Sequence, residues 1–342
     1  MTYDKKNSTL IAGIAMILML IHHLFNLKLY ETNHVIPILI NNYEVDAYLG
    51  KFGKICVGIF AFNTGYVFFS KPNFYDTWNK RFKRLFKFLI SYWILCILFC
   101  LYGYCINEPL PTIANFIKNL FGITTGGNIQ VTYAWYVYFY IEIIILYPIS
   151  HQIFLPKRSV KQDIFIFIIL SLLLEGIFLI LDPVTSFNKI PLVRLSEFYP
   201  TVIIGSLAAK HNLLSKFYNC YIYKQLYIVV VLIIIITYYP ITKSIGFTLS
   251  FGIYTLLLIP ALLKILDNTP KKLKNYIEPI GIYSMNMWFI SSIFETPNNS
   301  LQWIAYLPQY TPFVLLWNIL LLLPPAYLLS KLQNQILKHI SL

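Results

Sequence analysis

Apolar side chains run through this chain in long unbroken blocks, with neither the alternation of a half-buried strand nor the one-sided stripe of a surface helix. Six stretches read as near-continuous Ile, Leu, Phe, Tyr and Val, and four weaker ones fill the gaps between them. A bilayer core is about 30 Å thick, which a helix crosses in about 20 residues. The blocks therefore predict spans at 8–27, 53–70, 86–106, 133–154, 163–181, 197–210, 226–243, 246–266, 280–296 and 312–330. The sixth and ninth are the most polar: Glu197, Thr201 and Ser206 fall in or beside one, Asn286 and three serines in the other. The wide stretches 28–52 and 107–132 are polar enough to leave the membrane. The expected fold is an all-α polytopic membrane protein, a bundle of about ten transmembrane helices forming one domain over residues 1–342.

Composition supports lipid as the main solvent. Apolar residues make up 58% of the chain and charged ones 12%, against about 25% charged in soluble domains. No stretch rich in Pro, Gly or Ser suggests a linker to a second domain. The net charge of +13 does not point to nucleic acid, because the basic residues sit between apolar runs and not in one patch. With the N-terminus in the cytoplasm and ten spans, the inside segments, counting Lys87 with the run it ends, hold 20 of the 27 Lys and Arg. Lys28, Lys51, Lys54, Lys118, Lys189, Arg194 and Lys243 fall outside. That bias is the one expected for a multi-pass protein with both termini in the cytoplasm. The first run follows Lys5 and Lys6 but lacks a small-x-small cleavage site and carries His22 and His23 near its end, so it reads as a retained span. The five cysteines show no metal or redox spacing, and no metal site is expected.

Polar groups inside such runs are costly and need a reason. His22-His23 ends the first span, and adjacent helical residues point about 100° apart, so one of them at most faces a given partner. Imidazole is suited to take a proton from a hydroxyl near neutral pH. Lys80, Arg81, Lys83, Arg84 and Lys87 open the third span. Arg81 and Arg84 share a helix face and can fork onto phosphate oxygens, while plain anchoring to anionic headgroups is the simpler explanation of such a run taken alone. Glu142 and Glu175 are single carboxyls within the fourth and fifth spans, and Arg194 with Glu197 forms an i, i+3 pair at the mouth of the sixth.

Together these stretches resemble the integral-membrane acyltransferases of acyltransferase family 3, the polysaccharide O-acetyltransferases of bacteria above all. GIAMILMLIHH resembles the family's first-span motif, with His23 in the place of the active-site histidine and Ala12 where a basic residue is expected. FGKICVGIFAFNTGYVFF resembles the second span, with Thr64-Gly65-Tyr66 for the usual Ser-Gly-Tyr. Arg81-Phe82-Lys83-Arg84 matches the family's Arg-x-x-Arg at the acyl-donor site. YAWYVYFYI and RLSEFYPTVIIGSLAAK are similar to the fourth-span and Arg194 segments, and IGIYSMNMWFISSIF to a ninth-span pattern in which Ser291 replaces a histidine.

The resemblance implies transfer of an acetyl group from cytoplasmic acetyl-CoA to a hydroxyl of a cell-surface or lipid-linked polysaccharide sugar, in the bacterial inner membrane. It implies His23 as catalytic base, with Glu142 or Glu175 orienting the imidazole or balancing its cation. Lys80, Arg81 and Arg84 would meet the phosphates of acetyl-CoA, and Trp135, Tyr136, Arg194 and Glu197 would line the sugar side. The contrasting reading is a transporter or flippase of lipid-linked sugars, which predicts inverted repeats with broken helices; the chain shows none. The partners expected are membrane lipid and the sugar acceptor, with no nucleic acid.

Overall fold

Helices fall on each predicted span, and several run past the predicted ends. The computed structural model describes the chain apart from residues 1–2, 27–32, 41–42, 72–76, 108, 124–133, 182–189, 221–224, 246–249, 296–300 and 341–342, and apart from the side chains at 177–181, 190–194, 245 and 295. In order come α1 (Lys5–Asn26), β1 (Leu39–Ile40), β2 (Tyr43–Glu44), α2 (Val45–Gly53), α3 (Ile55–Ser70), α4 (Trp78–Cys105) and α5 (Ile113–Leu120). After these come α6 (Trp135–Phe154), α7 (Val160–Leu181), α8 (Ile190–Lys210), α9 (Leu213–Cys220), α10 (Leu226–Ile245), α11 (Ser250–Asn268), α12 (Lys271–Glu295), α13 (Gln302–Ala305) and α14 (Thr311–His339). Seven segments among the described residues are long and apolar enough to cross a membrane: Lys5–Asn26, Val45–Ser70, Trp78–Cys105, Trp135–Phe154, Leu226–Ser244, Ser250–Asn268 and Thr311–His339. The protein is thus an all-α, multi-pass membrane fold. α7, α8 and α12 cover the other three predicted spans.

Prolines sit inside α6, α8, α10, α11, α12 and α14 without ending them. In lipid a helix has no competing solvent for its backbone, so it continues through a missing donor that would stop it in water.

The described residues group into two compact units, each built from three separated stretches. The first comprises Met1–Ile11, Val57–Arg81 and Phe139–Lys274. Its centre is the crossing of α3 with α8, where backbones touch. A Cβ on Gly65 would lie 1.8 Å from the Val202 carbonyl oxygen, and one on Gly205 would lie 2.1 Å from that of Phe62. Ser206 Oγ bridges the same crossing, donating to the Gly65 and Val202 carbonyls at 3.1 and 3.2 Å. α11 packs alongside, with Gly58 against Thr255 and Gly252 against Ile204. The rings of Phe198, Phe251 and Tyr238 stack edge to face through this layer. At the chain start, Tyr3 donates to Asn63 Oδ1 at 2.5 Å and packs edge-on against Tyr66, 4.9 Å between ring centres. Burial raises the Tyr3 phenol well above its ordinary pKa, so it stays a donor.

The second unit comprises Ala12–Cys56, Phe82–Tyr138 and Asn275–Leu342. It holds both departures from the expected pattern. The second span starts at Val45, earlier than the expected residue 53, because the polar residue that makes 45–52 look like a loop is held inside through one carboxyl oxygen. Asp46, 2% exposed, accepts from the Ile38 amide at 2.9 Å and from Thr311 Oγ1 at 2.8 Å. The short β1–β2 hairpin precedes it, and the Ile36 amide donates to the Gln309 carbonyl at 2.7 Å.

The second departure is α5, inside the stretch expected to leave the membrane. Thr112 caps it, accepting from the Asn115 amide at 3.3 Å. Its far end is tied to the middle of α4: the Tyr92 hydroxyl donates to the Asn119 carbonyl at 2.6 Å, and Trp93 Nε1 to that of Leu120 at 2.9 Å. α4 ends at Cys105, so this anchor lies about 20 Å back along it at 1.5 Å per residue. The segment after α4 therefore folds back beside that helix.

Candidate active site

In the second unit, two glycines of α2 bring its backbone against the end of α1. A Cβ on Gly50 would lie 2.6 Å from the Asn26 amide nitrogen, and one on Gly53 would lie 2.5 Å from the Leu18 carbonyl oxygen. This approach lets His22 Nδ1 reach the Gly50 carbonyl oxygen at 2.7 Å. A carbonyl only accepts, so Nδ1 of His22 carries the proton and that ring is committed to holding α1 on α2. The Tyr306 hydroxyl fixes the same helix end from another side, donating to the Leu24 carbonyl at 3.0 Å. His23 is the next residue and points about 100° away. It is 8% exposed and its ring centre lies 5.5 Å from that of His22 at a 46° tilt. One histidine is structural, and its neighbour lies buried on another face of the helix.

Trp135 and Tyr136 open α6, both half-buried, with their ring centres 5.7 Å apart. Tyr136 meets Trp288 edge-on at 5.5 Å, and Phe289 in turn meets Tyr92 and Phe88. This aromatic cluster extends well beyond the two residues the sequence singled out. Ser291, in the place where a histidine was expected, is 1% exposed and donates to the Trp288 carbonyl at 2.9 Å, so its hydroxyl is satisfied within its own helix. Arg84, also in this unit, is half-buried on α4.

In the first unit, Glu142 is half-buried on α6 with Oε2 sealed from solvent and without a hydrogen-bond partner among the described residues. It lies on the face of α6 that meets α8: one turn earlier Phe139 contacts Phe198, and two turns later Ser150 Oγ hydrogen-bonds the Tyr199 hydroxyl. On α8, one turn past Phe198, Thr201 is fully buried and its Oγ1 is likewise unmet. Buried polar atoms are nearly always paired, so a carboxyl oxygen and a hydroxyl left over along one seam mark a place for a polar ligand or water. Glu197 is half-buried one turn before Thr201. The Arg194 side chain lies outside the described residues.

Glu175 does not join this seam. It is exposed on α7, in a row with exposed Leu172 and Ile168. Lys80 is exposed at the start of α4. Arg81 is 9% exposed, its guanidinium carbon 4.7 Å from the centre of the Trp78 ring. Stacking on an aromatic face fixes the plane of the guanidinium.

The sequence reading missed one charged cluster. Asp163 at the start of α7 is fully buried and ringed by Lys210 Nζ at 2.5 Å, His211 Nε2 at 2.7 Å and Arg158 Nη1 at 3.7 Å. Lys210 also donates to the Pro156 carbonyl at 2.8 Å. The start of α7 is thereby clamped to the end of α8. Its only signal along the chain was opposite charge at two helix ends.

A family model described as an acyltransferase domain matches residues 9–341. No protein of curated function and no solved structure matches the chain.

Proposed function

The chain belongs to acyltransferase family 3, and from that premise we propose that this membrane acyltransferase moves an acetyl group from cytoplasmic acetyl-CoA to a hydroxyl of a cell-surface or lipid-linked polysaccharide sugar. His23 is the general base. It takes the proton of the acceptor hydroxyl as that oxygen attacks the thioester carbonyl. The carbon–sulfur bond breaks, the ester forms, and the proton on His23 passes to the departing CoA thiolate. Arg81, held flat on Trp78, and Arg84 are assigned to the phosphates of the donor. Lys80, exposed beside them, adds a point charge of the same sign. Glu142 is the carboxyl we assign to the reaction in preference to Glu175, because its buried oxygen awaits a donor while Glu175 is exposed on α7. Trp135 and Tyr136 offer ring faces suited to a pyranose, and Arg194 with Glu197 remains assigned to the acceptor side.

The observation that carries the reading is the division of labour at the end of α1. His22 is spent on the Gly50 carbonyl, and the buried ring of His23 is held beside it. The Lys and Arg bias supports a cytoplasmic N-terminus, which puts Arg81 on the side where acetyl-CoA is available.

The test is glycan mass analysis of the host lacking the gene, complemented with wild type or with His23→Ala. Wild type should restore a mass of one acetyl group. His23→Ala should reach the membrane in normal amount and restore nothing, since general-base contributions are on the order of 100- to 10,000-fold. Full acetylation by His23→Ala would remove the proposed base.

A further inference from the structure

His23 stands between two ties. On one side of it, the ring of His22 is fixed to the Gly50 carbonyl of α2 at 2.7 Å. On the other, the carbonyl of Leu24 accepts from the Tyr306 hydroxyl at 3.0 Å. The second tie is sealed from solvent, with Leu24 fully buried and Tyr306 1% exposed. A buried phenol needs a partner for its hydroxyl, and Tyr306 spends that hydroxyl on the residue next to His23.

Both ties belong to one closed circuit of hydrogen bonds within the second unit. Asp46, one turn before Gly50 on α2, accepts from Thr311 Oγ1 at the start of α14 at 2.8 Å. Further along α14, Asn318 Nδ2 donates to the Ala305 carbonyl at 2.8 Å, and Trp317 Nε1 to that of Ile304 at 2.7 Å. These bonds seat α13 on α14 and fix the backbone that carries Tyr306, the residue directly after α13. The Tyr306 carbonyl accepts in turn from the Gln309 amide at 2.9 Å, and the Gln309 carbonyl from the Ile36 amide at 2.7 Å. From α1 the circuit runs through α2, α14 and α13 and returns to α1. His23 is the residue between its two ends.

We propose that Tyr306 is a positioning residue for the catalytic base, acting on His23 through the Leu24 carbonyl. The inference rests on the reaction proposed above, in which His23 takes the proton of the acceptor hydroxyl. The aim of an imidazole follows its Cα–Cβ bond, and that bond is held by the peptides on either side of the residue. A general base works only within a few tenths of an ångström of its productive place, so the backbone that bears it must be fixed from both directions. α2 supplies one of those fixings and Tyr306 the other.

The experiment uses Tyr306→Phe, which keeps the ring and removes only the hydroxyl. Membranes of the host lacking the gene, carrying equal amounts of wild type or variant, are given radiolabelled acetyl-CoA. Label reaching glycan is followed against donor concentration. Tyr306→Phe should lower the saturated rate about tenfold or more, because a displacement of about 1 Å can cost on the order of 100-fold. The donor concentration at half saturation should not change. Titration calorimetry of the purified variant should find as many acetyl-CoA sites as in wild type, which separates misplacement of the base from loss of folded protein. A wild-type saturated rate in Tyr306→Phe would overturn the proposal, as would a fall in rate matched by an equal fall in acetyl-CoA sites. His23→Ala in the same membranes tests the reaction beneath it. Full label transfer by that variant would overturn both, whereas its inactivity beside a full rate in Tyr306→Phe would keep the base and remove the positioning residue alone.

Discussion

At the scale of single residues, the protein assigns different tasks to side chains of one type. His22 and His23 are neighbours, but only His22 reaches the Gly50 carbonyl. His22→Ala should therefore lower thermal stability by about 1 kcal/mol, the net worth of one hydrogen bond. Its acetylation should follow the same pH profile as wild type, because the base is untouched. A pH profile displaced in His22→Ala would show that His22 itself moves the proton. Arg81 invites a second test. Charge-assisted contacts to phosphate are worth about 1.5–3 kcal/mol each, so Arg81→Ala should weaken acetyl-CoA binding about tenfold or more. Arg81→Lys should recover part of that loss, since an ammonium lacks the planar fork and stacks less well on Trp78. Unchanged binding in a folded Arg81→Ala, Arg84→Ala double variant, measured by titration calorimetry, would make the pair a lipid anchor.

Among the elements, glycine contacts decide how closely helices approach. Gly65→Ala places a methyl group 1.8 Å from the Val202 carbonyl, an overlap that backbone movement alone can relieve. Overpacking costs about 1–3 kcal/mol or more, so this variant should melt well below wild type in detergent. Gly176→Ala is the control: nothing lies near the added carbon, and the gain in helix propensity, up to about 1 kcal/mol, should leave melting unchanged or raised. Equal melting of the two variants would contradict the α3–α8 crossing. The same contrast explains what was legible beforehand. The spans were readable because bilayer thickness imposes block length directly on the sequence. α2 and α5 were not, because they are held by partners remote in sequence: Asp46 by Thr311, and the end of α5 by Tyr92 and Trp93. Glu142 and Glu175 carried one signal, a carboxyl in an apolar run, yet they face differently. A helix apolar on all sides says nothing about which side turns inward.

For the whole molecule, the number of crossings sets where the two termini lie. Seven segments among the described residues meet the length and apolarity of a span, and an odd number would put the termini on opposite sides of the membrane. Charge does not arbitrate: with the N-terminus inside, seven crossings also leave 20 Lys and Arg inside and 7 outside, because Lys189 and Arg194 exchange places with Lys331 and Lys338. We propose ten crossings. Asp163 at the start of α7 is clamped to Lys210 and His211 at the end of α8, so those two helices go out and return together and do not change parity. α12 is the deciding helix. Its 25 residues span about 37 Å, more than the hydrocarbon core. Several of its polar groups have partners within the fold: Ser284 on the Gly281 carbonyl, Ser291 on that of Trp288, and Asn286 Nδ2 on that of Ala326 in α14. Such groups do not oppose insertion as unpaired ones would. Reporter fusions at both termini should therefore report the cytoplasm, and a cysteine at Trp78 should resist a membrane-impermeant reagent in intact cells. An external C-terminus would mean that α12 does not cross, and external labelling at position 78 would remove Arg81 from the side of its proposed donor.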